Sequence, residues 1–180
     1  ANPYYIYTYL VGSRDGSKVA ATVGGTSSSI KDIVTVDATT GQATRVTKSS
    51  ANYYSPSSSW GYSTSSHYVD LSTKGTYVAY VQYTSPYLDL YVSKADGSGN
   101  PIHVSSPTNF NGTSKYFYSV RWATDDILVF TAYGNSSSYM DVFTYQVSTN
   151  TVRNVSAKQD STKPYSLVGS VYHRIYGMWF

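Results

Sequence analysis

A chain of 180 residues with no glutamate, six leucines and 21 tyrosines among abundant Ser, Thr and Val favours half-buried strands over helices, in one all-β domain. The absence of cysteine excludes disulfides and thiolate metal sites, and a net charge of +3 without any Lys/Arg run argues against nucleic acid as a partner. No apolar run approaches the roughly 18 residues of a membrane-spanning helix, so no membrane span is expected.

In chain order, residues 4 to 13, YYIYTYLVGS, form a continuous strand-like run. A turn at Arg14-Asp15-Gly16-Ser17 leads into Lys18 to Val23, and Gly24-Gly25 with Ser27 to Ser29 makes the next loop. The strand Asp32-Ile33-Val34-Thr35-Val36, a turn at Gly41 and a return strand Thr44 to Thr47 complete a four-stranded meander. Residues 48 to 66 are rich in Ser, Tyr and Pro and lack a period, which predicts a long surface loop. A second meander runs from Tyr68 through the turn Lys74-Gly75 to Ser105, and a third from Tyr118 through Asp125-Asp126 to Ser156. Ser166 to Ser170 then echoes Leu10 to Ser13, and Arg174 to Phe180 has the character of the second strand of a fourth unit. The units are about 9–47, 68–105, 118–156 and 165–180, three complete and one partial. Alternation within their second and third strands predicts a core containing Val19, Ala21, Val34, Val36, Val78, Tyr80, Leu90, Val92, Leu128, Phe130, Val142 and Phe143.

The passage Tyr87 to Gly99, YLDLYVSKADGSG, shows the grammar of the repeat: an aspartate, an alternating strand, then a turn that tolerates left-handed backbone. Asp32 and Asp141 open the same pattern, running into Thr40-Gly41 and Thr149-Asn150. Units that start roughly 47 to 59 residues apart have the period of four-stranded propeller blades. Meanders with a DG-type turn between the first two strands, an Asp before the third and a second DG-type turn after it resemble the blades of TolB-type β-propellers. GSRDGSKVAA and DLYVSKADG carry the likeness. The chain departs from that pattern in lacking a proline in the first turns and an aspartate in the second unit's turn, where Lys74-Gly75 stands. The resemblance implies a β-propeller-like array. It also implies interaction before catalysis, since such propellers serve as protein-binding platforms and as accessory domains of secreted peptidases.

A residue that recurs in every unit is structural before it is catalytic. Asp32, Asp89 and Asp141 are therefore expected to tie the loop before each third strand to neighbouring backbone N–H groups. His67, His103 and His173 show no metal-ligand spacing, no G-x-S-x-G elbow or calcium loop is present, and neither a cofactor nor a metal is expected. The candidate binding residues are the loop aromatics Tyr53, Tyr54, Trp60 and Tyr62, whose rings would stack on a glycan or anchor a protein. Asn111, Asn135 and Asn154 head glycosylation sequons.

These features, a charge-poor Ser/Thr/Asn/Tyr surface and a start compatible with removal of a signal peptide point to an extracellular or cell-surface protein. The expected function is a non-enzymatic structural or assembly protein, a subunit of a surface fibre or layer. Its units would join through terminal strands, with Tyr4 to Tyr9 and Arg174 to Phe180 each offering what the other lacks. The alternative is a glycan- or peptide-binding propeller module, a fragment or accessory domain of a secreted hydrolase.

Overall fold

Period-two alternation punctuated by left-handed turns gives three antiparallel sheets in the computed structural model, which describes residues 5–6, 10–24, 31–47, 69–84, 87–106, 117–133 and 140–156. The first sheet comprises β1 (Tyr5–Ile6), β2 (Val11–Gly12), β3 (Lys18–Gly24), β4 (Lys31–Asp37) and β5 (Ala43–Arg45). The second contains β6 (Val69–Leu71), β7 (Tyr77–Thr84), β8 (Tyr87–Lys94) and β9 (Ile102–His103). The third contains β10 (Phe117–Trp122), β11 (Ile127–Tyr133), β12 (Met140–Gln146) and β13 (Thr151–Asn154). In the second and third, sequence neighbours pair throughout, and in the first β1 and β2 both pair with β3, which is followed by β4 and β5. The unit 165–180 lies outside the described residues.

The sheets stack in chain order, and packing follows strand parity. Ala20 and Ile33 of the first sheet share an apolar cluster with Val78 and Tyr80 of the second. From the other side of the second sheet, Ala79, Val81, Leu90 and Val92 meet Leu128, Phe130, Phe143 and Tyr145 of the third. Consecutive residues on β7 therefore bury in opposite directions, and Val78, Ala79, Tyr80 and Val81 are all exposed by 1% or less. A strand covered on both faces reads as a continuous apolar run. Phe130 and Phe143, opposite each other in the β11–β12 register, stack with centroids 5.4 Å apart.

This stacking corrects part of the expected core. Val19, Val34, Val36 and Val142 are only half-buried, because they lie on the faces of the first and third sheets turned away from the middle one. Their neighbours of opposite parity, Ala20, Ile33 and Thr35, are the residues that the second sheet covers. The remaining expected core residues, including Ala21, are buried.

In the N-terminal run, Tyr5–Ile6 pairs with Val23 and Gly24 of β3, on the same edge that receives β2 lower down, and is the edge strand of the first sheet. Residues 174–180, its expected partner, lie outside the described residues.

The first turns of the three sheets form a polar belt. In the first, Ser13 Oγ donates to Asp15 Oδ1 at 2.7 Å and Ser17 N donates to the same oxygen at 3.0 Å. The second turn lacks an acid, yet its Ser72 hydroxyl and Lys74 N–H both donate to Asp125 of the third sheet. The missing aspartate is supplied by the neighbour. From the other side, Asp15 N and Ser17 Oγ donate to the carbonyls of Thr73 and Lys74 at 3.2 and 3.4 Å. Gly75 suits this crowded spot on two counts: its φ is +66°, and a Cβ there would sit 3.1 Å from Ser17 Oγ.

Candidate functional site

The recurring aspartates converge on one geometry. Asp32, Asp89 and Asp141 stand at or near the start of the third strand of each sheet, beside a hydroxyl that follows the fourth strand: Thr47, Ser105 and Ser156. Each hydroxyl donates to its aspartate Oδ1 at 3.1 Å. The hydroxyl oxygen in turn accepts the backbone N–H of the residue after the aspartate, Ile33 at 2.9 Å, Leu90 at 3.0 Å and Val142 at 2.8 Å. The intervening residue, Val46, Val104 or Val155, donates its N–H to the carbonyl of that same Ile33, Leu90 or Val142 at 2.9 Å. The hydroxyl thus clasps the end of the fourth strand to the entrance of the third.

The expected role of the aspartates is changed in one respect: the carboxylate does not take the strand N–H itself. A strand residue points its side chain away from its neighbour's amide. The hydroxyl from the next strand bridges that gap, and the carboxylate orients the hydroxyl.

A further side chain, two residues before the hydroxyl, completes each clasp. Arg45 Nη2 lies 2.9 Å from Asp32 Oδ1, His103 Nε2 lies 3.2 Å from Asp89 Oδ1, and Asn154 Nδ2 donates to Asp141 Oδ2 at 2.9 Å. The sequence signal for the clasp is therefore Asp followed 13 to 16 residues later by Arg-Val-Thr, His-Val-Ser or Asn-Val-Ser. Reading Asn154-Val155-Ser156 only as a sequon hid its likeness to the other two triplets. The amide nitrogen that would carry a glycan is engaged with Asp141.

In the second sheet the clasp brings together Asp89, His103 and Ser105, the side-chain types of a hydrolase triad. The geometry is not that of a relay, in which the imidazole bridges serine and carboxylate through its two different nitrogens. Here Nε2 alone faces both Ser105 Oγ, at 3.0 Å, and Asp89 Oδ1. Ser105 is 2% exposed and its hydroxyl hydrogen already goes to Asp89. Tyr91 stacks on the imidazole at 4.7 Å between centroids, and Tyr80 stacks on Tyr91 at 5.9 Å. The arrangement holds a blade together.

Asp70 forms a separate link between the second and third sheets. Trp122 N donates to its Oδ2 at 2.8 Å, the indole N–H donates to its carbonyl at 3.2 Å, and Arg121 lies 3.5 Å from Oδ1. Burial pushes its carboxyl above the usual range, against the pull of the Trp122 N–H and the Arg121 charge. The exposed turn carboxylates move the other way. The Ser17 N–H lowers Asp15, the Thr40 N–H lowers Asp37, the Ser98 N–H lowers Asp96 and the Ser148 hydroxyl lowers Asp126. Among the described residues no group of three or more potential metal ligands occurs. Tyr53, Tyr54, Trp60, Tyr62, Asn111, Asn135, His67 and His173 lie outside the described residues.

No protein-family model matches this chain, and no curated protein matches it in sequence. Solved structures do match. TolB from Acinetobacter baumannii superposes with a TM-score of 0.54 at 15% identity, over 83% of this chain and 32% of that one. The β-propeller domain of the trilobed protease from Pyrococcus furiosus gives 0.57 at 10% identity, over 84% and 42%. The fold is that of a β-propeller array. The AtxE2 isopeptidase is similar as well, with a TM-score of 0.57 at 16% identity, over 88% and 31%. This chain therefore spans between 31% and 42% of the length of these matches. The resemblance to TolB-type blades read from the turn and aspartate pattern is matched in three dimensions. No helix among the described residues is long and apolar enough to cross a membrane.

Proposed function

We propose that this chain is a non-enzymatic propeller module that works by assembly, as a structural subunit in an extracellular or cell-surface setting. One observation carries the reading. The described array is three blades with their mating faces used between them, and the outward faces of the first and last carry half-buried Val19, Val34 and Val36, and Val129 and Val142. Propellers ordinarily close with about four to eight blades, so such faces call for further blades. The polar clusters that resemble chemistry, above all Asp89, His103 and Ser105, are engaged in holding strands.

A second reading has its own support. The structural neighbours include an isopeptidase and a puromycin hydrolase, which favours a recognition module belonging to a secreted hydrolase. Sedimentation of the purified chain, paired with a peptidase assay, separates the two. Self-associated particles without peptide hydrolysis are expected. A single-chain particle at micromolar concentration would overturn the assembly reading.

A further inference from the structure

We propose that the first turn of the second sheet is a carboxylate receptor, and that Asp125 of the third sheet is the partner this surface is built to take, so that one turn specifies which blade can follow the second. The inference concerns recognition between blades of one chain and does not rest on the assembly reading above.

The first two sheets build the same turn. In the first, Ser13 Oγ accepts the N–H of Lys18 at 2.9 Å, Gly16 N donates to the Ser13 carbonyl at 3.0 Å, and the glycine has a φ of +73°. In the second, Ser72 Oγ accepts the N–H of Tyr77 at 2.9 Å, Gly75 N donates to the Ser72 carbonyl at 2.9 Å, and the glycine has a φ of +66°. Residues 13 to 17 therefore correspond in order to residues 72 to 76, with Lys74 standing where the first turn has Asp15.

A carboxylate nevertheless occupies the same place in both. Asp15 Oδ1 accepts the Ser13 hydroxyl at 2.7 Å and the Ser17 N–H at 3.0 Å. Asp125 Oδ1 accepts the Ser72 hydroxyl at 2.5 Å and the Lys74 N–H at 3.1 Å, and Thr76, the counterpart of Ser17, adds its own hydroxyl and N–H. The serine donor is equivalent, yet its carboxylate comes from two residues away in one case and from 53 residues away in the other. Burial pushes the Asp125 carboxyl up, but the Ser72 hydroxyl, the Thr76 donors and the Lys74 N–H outweigh it and hold the group below the ordinary range. Ser72 is fully buried, so its hydroxyl needs an acceptor there.

One set of donors serves one carboxylate. An acid at the third position of the turn fills the place from within, whereas a lysine leaves it to the next blade. The turn filled from within meets its neighbour differently, since Asp15 N and Ser17 Oγ donate to the carbonyls of Thr73 and Lys74. A carbonyl is present in any blade, but the acid that the second turn requires is not. Discrimination between blades therefore lies at the seam of the second and third sheets.

Thermal melts of the full chain in a double-mutant cycle test this. Asp125→Ala should lower the melting temperature by about 3 to 10 °C, the loss of a charge-assisted bond in a chain of this size. Lys74→Asp should lower it too, because two carboxylates then contend for one set of donors, whereas Lys74→Gln should leave it unchanged. The combination of Lys74→Asp with Asp125→Ala should melt above either single variant, since the second turn then holds its own acid as the first does. Losses that simply add would overturn the proposal. Sodium formate should raise the melting temperature of Asp125→Ala more than sodium chloride at equal ionic strength, and equal effects of the two salts would overturn the receptor. If Asp125→Ala does not fold, Asp125→Asn takes its place in the cycle, and the same comparison of double and single variants decides.

Discussion

Ser105 carries more of its blade than the aspartate whose repetition draws the eye. Its hydroxyl is the partner of the buried Leu90 N–H and also donates to Asp89. Ser105→Ala strands that N–H at a cost of about 1 to 3 kcal/mol. Asp89→Ala leaves the N–H paired and should cost less, and urea melts of the two variants test the order. The same logic bears on Asn154, whose side-chain nitrogen already serves Asp141. Mass spectrometry of the protein secreted from a glycosylating host is expected to find the Asn154 peptide unmodified.

Among the turns, a change in one blade should be felt in the next. Asp125→Asn alters the third sheet's turn, yet its expected effect is faster amide exchange at Lys74 in the second, whose N–H rests on Asp125 Oδ1 at 3.1 Å. Acid should act on the turns in two stages. Asp15, Asp37, Asp96 and Asp126 sit below their ordinary value of 3.8 in the fold, so their stabilisation is complete above about that pH and is lost as the pH falls through their lowered values. Asp70 has the opposite sign, because its raised value means that the fold binds the proton more tightly than the unfolded chain does. The melting temperature should therefore rise on mild acidification and fall below about pH 3.8, and Asp70→Asn should abolish the rise.

At this scale the sequence was largely legible. The turn chemistry of Asp15-Gly16 and Asp96-Gly97 and the alternation after each aspartate placed the strands of three sheets, because those signals are local. The face that each strand buries was legible only where a residue has one covered side. Val19 and Val34 have the same β-branched character as Ile33, and only the stacking order decides which of them is covered. The clasp went unread because its hydroxyl stands 15 or 16 residues from its aspartate, on another strand, among many other Ser and Thr residues.

Over the whole molecule, protection should follow position in the stack. Among the described residues the second sheet is covered on both faces and the others on one, so amides of β7 and β8 should exchange most slowly and those of β4 and β12 sooner. Exchange monitored by mass spectrometry on the purified chain checks this, and an even rate across the three sheets would contradict the stacking account.

The clasp also bears on the order of synthesis. Each one joins residues no more than 16 apart in the chain, so a blade holds every bond of its own meander once its Thr or Ser has left the ribosome. Stability in such a stack is a sum of unit and neighbour terms, and the unit term is available before the neighbour exists. Folding is then expected to proceed blade by blade during translation. A nascent chain arrested with Thr47 just clear of the exit tunnel should already hold the first meander, whereas one arrested at Ala43 should not.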